Sequence, residues 1–244
     1  TRTFVMISTD KAIEPVSMLG ATKRFAEIYA QSRDAELVAA DSGIRLVAVR
    51  FGNVLGSAGS VVPKFKAQIA RGGPVTVTSP DMIRYFMTIR EACDLVLTAA
   101  THARASHAEA ERAAVYVLKM GQPMRIMDMA ERMIRLAGFE PGEDIEIVVS
   151  GVRPGERLNE ILFARDEPMA ETGLDGVMAA KPIFAGRDRI EIWLTRLAAA
   201  VKANDQAAAN AVLDEAIPDF SLRDSKRPDA PGPASSQPTA ASQP

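Results

Sequence analysis

VMISTDKAIEPVSMLGATKR, residues 5–24, runs from an apolar stretch through a polar turn into a helix, and this passage decides the fold. Residues 3–8 are short and mostly apolar, the mark of a buried strand. From residue 20 to residue 40, Ala, Lys, Arg, Glu and Gln dominate and apolar residues recur at helical spacing. The turn signal Asp41, Ser42, Gly43 follows, and IRLVAVRF, residues 44–51, reads as a second strand. Strand, helix and strand within about fifty residues form a βαβ unit, which requires parallel pairing and a right-handed crossover. The expected fold class is therefore α/β.

Composition sets the outer limits. A chain of 244 residues, 47% hydrophobic and 25% charged, buries a substantial core in one or two domains. Its formal charge of -2 provides no global field for nucleic acid or an anionic membrane, so an anionic ligand needs a local cluster of cations. Cys93 is the single cysteine, which excludes an internal disulfide and a cysteine-based zinc site, fits a reducing compartment, and is expected in a helix core. No apolar run is long enough to cross a bilayer and no signal peptide is recognisable. The chain opens with Thr1 and enters a strand at once, so it is expected to be part of something longer.

Further along, the sequence predicts a short helix from about Val61 to Ala70, a Gly72-Gly73-Pro74 turn, a strand at Val75–Thr78 and a helix over 89–101. His102 and His107 fall in the polar stretch 102–113 and are expected as solvated side chains; no metal site is assigned. AVYVLKM reads as a strand, RIMDMAERMIRLAG as a helix closed by Gly138, and IEIVVSG as a strand. Met124, Met127, Met129 and Met133 mark a packed helix face. Helices near 187–203 and 205–216 complete the fold, and residues 222–244, rich in Pro and Ser, are expected to be a disordered tail.

Ligands of open parallel sheets bind beyond the carboxyl ends of the strands. Ser8, Thr9, Asp10 and Lys11 end the first strand and Asn53 lies just past the second, so both sets face one crevice. Lys23, early in the helix, is within reach of it. Spacing alone leaves open whether Asp10 merely caps a turn and Lys23 is merely solvated.

STDKAIEPVSMLGATKR, the long run VRFGNVLGSAGSVVPKFKAQIARGGPVTVTSPDMIRYFMTIREACDLVL and GVRPGERLNEIL occur in that order between residues 3 and about 163. They resemble the nucleotide-sugar 4,6-dehydratases of polysaccharide biosynthesis, the CapD-like UDP-N-acetylglucosamine 4,6-dehydratases of the extended short-chain dehydrogenase/reductase superfamily. The resemblance implies a partial Rossmann-like parallel sheet whose N-terminal strands are missing, joined to a smaller α/β substrate-binding region. It divides the chain into residues 1–60, the last part of an NAD domain carrying the catalytic segment, and 61–221, the substrate-binding region with interleaved Rossmann elements and the C-terminal helices.

The same resemblance implies an activity. NAD serves as a recycled cofactor, the hexose of a UDP-sugar is oxidised at C4, water is eliminated across C5 and C6, and the hydride returns to C6. Lys11 would take the C5 proton, Asp10 would protonate the departing C6 hydroxyl, and Thr9 would hydrogen-bond near C4. Ser8 and Lys23 would lie at the cofactor; Asn53, Lys64 and Arg84 would line the diphosphate pocket; Arg153 and Glu156 would hold the uridine end. Leu19 stands where the superfamily carries a tyrosine, which fits the long, membrane-anchored members and leaves the base for C4 oxidation unassigned. Arg50 is read as structural. The location implied is cytoplasmic, with the parent anchored at the inner membrane; a homo-oligomer is compatible with the sequence, which does not specify one. A C4-epimerase and a non-catalytic nucleotide-sugar module are the alternatives.

Overall fold

Strand β1 (Thr3–Thr9), a single 3-10 turn over Asp10–Ala12, helix α1 (Met18–Ala39) and strand β2 (Arg45–Phe51) form the βαβ unit as expected. This computed structural model describes residues 1–105, 115–118, 120–161, 167, 169–180 and 185–220. Within them the chain continues as β3 (Asn53–Val54), α2 (Val61–Ile69), β4 (Val75–Val77), β5 (Ile83–Arg84), β6 (Phe86–Met87) and α3 (Ile89–Ala105). It then forms β7 (Val115–Leu118), β8 (Met124–Arg125), α4 (Ile126–Leu136), β9 (Ile147–Val149), β10 (Met169–Glu171), β11 (Val177–Ala180), α5 (Arg187–Lys202) and α6 (Gln206–Ala216). His107 and the tail 222–244 lie outside the described residues.

The main sheet has the order β1-β2-β7-β11-β10. β1, β2 and β7 are parallel, with Thr3 opposite Arg45 and Thr9 opposite Phe51. The hairpin β10–β11 joins antiparallel and makes the sheet mixed. Its strands are too short to carry a periodic signal, and its turn rests on Gly173 and Gly176 at φ 73° and 71°, where a side chain would be strained.

β2 is buried on both faces, as an uninterrupted apolar run requires. Val47 and Val49 pack with Leu95, Ala99 and Ala103 of α3, while Ala48 turns to the opposite side with Val115 and Val117. On the outer side of α1, Phe25 and Ile28 meet Ile190 and Trp193 of α5 and Val212 and Leu213 of α6. Each such fully buried side chain contributes about 1.5–3 kcal/mol relative to exposure. A second cluster joins Phe65 and Ile69 of α2, Val75 and Val77 of β4, and Met129 and Ile134 of α4. Met127 and Met133 flank it, whereas Met124 is exposed on β8.

Two expectations change. Cys93 is exposed, because Ala92, Leu95 and Ala99 take the buried side of α3. His102 is not simply solvated: α3 runs on to Ala105, and the imidazole meets the Tyr116 hydroxyl at 2.9 Å and the Thr172 carbonyl at 3.2 Å. Burial pushes the Tyr116 hydroxyl up to about 12, with Arg45 opposing and Asp34 adding to the shift. Among the described residues no helix is long and apolar enough to cross a membrane.

Candidate functional site

Thr9 ends β1 and caps the following turn: its hydroxyl accepts from the Lys11 amide at 3.4 Å and donates to Asp10 Oδ1 at 2.9 Å. The turn is pressed against the first turn of α1. A Cβ added to Gly20 would fall 2.1 Å from the Lys11 carbonyl oxygen, so only glycine lets the two backbones approach this closely. Ser17 accepts from the Gly20 amide at 3.1 Å and fixes where α1 begins.

From this turn Lys11 enters an open cavity of about 590 Å³ between the carboxyl ends of β1 and β2 and the second core cluster. Its Nζ donates to Asp10 Oδ1 at 2.9 Å and to Asn53 Oδ1 at 3.5 Å, and lies 3.5 Å from Glu160 Oε1. Thr9, Lys11, Asn53, Lys64, Arg84, Arg153 and Glu156 all line the cavity, as does Leu19. Asp10 does not; its side chain, 5% exposed, lies beneath the amine it binds. Lys64 and Arg153 are exposed at the rim, and the Arg153 amide donates to Glu156 at 3.3 Å.

Three side chains stand differently from expectation. Arg84 reaches the cavity, but its guanidinium is occupied by the carbonyls of Ile83, Leu158 and Arg157 at 2.7, 3.0 and 2.8 Å, and lies 3.5 Å from Glu160. These bonds hold the cavity wall in shape. Lys23 is outside the cavity lining and donates to the Ile7 carbonyl at 3.0 Å, half-buried beside β1. Ser8, although at the cavity, donates to Glu27 Oε1 at 2.5 Å and so belongs to a buried ionic group.

That group was not foreseen. Glu27 receives Arg24 at 3.0 Å and Arg50 at 2.6 Å, and Glu167 receives Arg24 at 2.6 Å and Arg50 at 2.5 Å. Burial opposes the charge of Glu167, but hydrogen bonds and charge from Arg50 and Arg24 outweigh it and hold the carboxyl below its usual 4.5. Burial also works against Arg50, yet Glu27 and Glu167 raise its affinity for its proton above that of a free guanidinium. The cluster ties Ser8, next to Thr9, to Arg50, three positions before Asn53, and so fixes the strand ends that carry the site. Glu160 was missed as well, although it lies in the GVRPGERLNEIL motif.

The polysaccharide biosynthesis protein family matches residues 1–182. The chain belongs to this family. As a polysaccharide biosynthesis protein of the CapD kind, it carries the short-chain dehydrogenase/reductase fold that its motifs implied. The capsular polysaccharide biosynthesis protein CapD of Staphylococcus aureus is 54% identical over 164 residues, 67% of this chain and 25% of that protein. The probable polysaccharide biosynthesis protein EpsC of Bacillus subtilis (strain 168) is 48% identical over 171 residues, 70% of this chain and 26% of that protein. The chain thus spans about a quarter of the length of these relatives. Among solved structures, Pen from Bacillus thuringiensis superposes with a TM-score of 0.64 at 30% identity, covering 76% of this chain and 54% of that one.

Proposed function

We propose that this family member contributes the acid–base and sugar-binding part of a nucleotide-sugar 4,6-dehydratase that converts UDP-N-acetylglucosamine to a 4-keto-6-deoxy sugar. The single observation carrying this reading is the Asp10–Lys11 pair, 2.9 Å apart at the end of β1, with the amine turned into the cavity beside Asn53. A ketone at C4 acidifies the C5 hydrogen, and an amine within reach of it serves as base. Elimination transfers the C5 proton to Lys11, forms the C5–C6 double bond and breaks the C6–O bond. The proton that turns the departing hydroxyl into water comes from Asp10. The pair therefore starts neutral and ends as ammonium and carboxylate; the Lys11 ammonium gives its proton back to C5 when C6 is reduced, and the proton released on C4 oxidation restores Asp10. Because Asp10 is beneath the cavity floor, its proton passes through the Thr9 hydroxyl, which touches both Asp10 and the cavity.

NAD fits this reading on one side only: the half-buried Lys23 ammonium at the Ile7 carbonyl suits a ribose hydroxyl, while Ser8 is engaged by Glu27. When bound, NAD would supply hydride uptake and return. Lys64, Arg153 and Glu156 serve the UDP end, and the exposed cations at the rim suit its diphosphate. Activity is proposed for the full-length protein that carries this chain, given the share of its relatives that the chain spans. Full-length protein with UDP-N-acetylglucosamine should yield a product one water lighter than substrate. Unchanged product mass would mean epimerisation, and no turnover of any UDP-hexosamine would end the enzymatic reading.

A further inference from the structure

Two acidic side chains reach the Lys11 amine, Asp10 Oδ1 at 2.9 Å and Glu160 Oε1 at 3.5 Å. Asp10 belongs to the same turn; Glu160 reaches across from the segment that follows β9, and its side chain is 5% exposed against 33% for Lys11. That segment is fastened to the cavity wall. The Ile83 amide donates to the Leu158 carbonyl at 3.0 Å, Arg84 spans the carbonyls of Arg157 and Leu158, and Arg157 donates to the Glu14 carbonyl. Arg84 Nε also lies 3.5 Å from the Glu160 oxygen that faces Lys11. A permanent cation thus lies beside that carboxylate.

We propose that Glu160 is a positioning residue that draws the Lys11 amine off Asp10 and into the cavity, at the point where a substrate C5 hydrogen would stand. The inference rests on the reading of Lys11 as the base. Lysine carries its amine on a flexible four-carbon stem, and with Asp10 as its only acidic neighbour the amine would fold onto that side chain, away from the substrate. Glu160 Oε1 and Asn53 Oδ1, each 3.5 Å from the amine, supply acceptors other than Asp10. In the elimination Lys11 becomes an ammonium, and Glu160 is the carboxylate outside the reacting pair that faces this new charge.

The test uses the full-length protein with UDP-N-acetylglucosamine deuterated or not at C5. Glu160→Gln should lower kcat by about 10- to 100-fold, the scale of an ångström's misplacement of a reacting group. KM should stay within about twofold and the isotope effect should rise, because proton removal becomes the slow step. Glu160→Asp, which keeps the charge beside Arg84, should fall between the two. A structural role alone would change melting temperature and KM without raising the isotope effect, and that result, or wild-type kcat in Glu160→Gln, overturns the inference. Should Glu160→Gln fold poorly, Glu160→Asp decides: lowered kcat at unchanged KM supports the inference and wild-type kcat overturns it. Lys11→Met separates the two levels, since residual elimination there ends the reading of Lys11 as base. Its inactivity beside a fully active Glu160→Gln ends only the role of Glu160.

Discussion

Replacing Gly20 with alanine tests whether the reactive turn is held by close backbone packing. The added Cβ would lie 2.1 Å from the Lys11 carbonyl oxygen, 3.1 Å from its carbon and 3.0 Å from Pro15 Cβ. The first two partners are backbone, so relief demands that α1 and the turn separate by roughly 1 Å, an overpacking cost of about 1–3 kcal/mol. The better helix propensity of alanine returns at most about 1 kcal/mol. With that full return the expected net loss is up to about 2 kcal/mol, a melting temperature lower by up to roughly 8 °C for a chain of this size. The same displacement moves the backbone that carries Lys11, so turnover should fall by about 100-fold even where the variant is folded. Thermal melts and steady-state kinetics on Gly20→Ala, beside Gly121→Ala, measure both effects; nothing lies within 4 Å of a Cβ at Gly121. Wild-type melting and turnover in Gly20→Ala would refute the packing argument.

Thr9→Val removes the hydroxyl between Asp10 and the cavity and should cut turnover by about 100-fold, whereas Thr9→Ser retains most of it and calorimetry with UDP shows unchanged binding in both. Glu167 has a folded value below its usual 4.5, so its contribution to stability is complete above pH 4.5 and is lost as pH falls through the lower folded value. Urea midpoints from pH 7 to pH 3 should therefore decline less steeply at the acid end in Glu167→Gln. That variant should also lose about 3–5 kcal/mol at pH 7 by leaving Arg24 and Arg50 short of a partner. A disulfide reagent should titrate Cys93 in native protein as fast as in urea; a lag until unfolding would contradict its exposure.

The βαβ unit was legible because its strands and helix are long enough to show their periods. The hairpin β10–β11 was not, since three or four residues carry no period and its pairing depends on β7, more than fifty positions earlier. Site residues at strand ends followed from topology, which is why Thr9, Lys11 and Asn53 came out on one cavity. What topology does not give is direction: Arg84 turned to carbonyls, Ser8 to Glu27, and Asp10 below the floor. α1 explains the hidden charges. Its apolar stripe Ala21, Phe25, Ile28 meets α5 and α6, while Arg24, Glu27 and Asp34 lie on the sheet side against Arg50 and Arg45. A helix buried on two sides looks weakly amphipathic in sequence, and the partners of its polar stripe sit on another strand. The missed Glu160 follows the same logic, because its neighbour Lys11 is far away along the chain.

The division between buried and exposed cations separates two responses to ionic strength. Arg24, Arg50, Glu27 and Glu167 are shut off from solvent and its counterions, so added salt leaves the scaffold under the strand ends untouched. Lys64 and Arg153 stand in water, within reach of screening that acts over about 8 Å in physiological buffer. Salt therefore weakens the attraction of an anion to the mouth of the cavity while the geometry at its floor stays fixed, so capture and chemistry answer to different conditions.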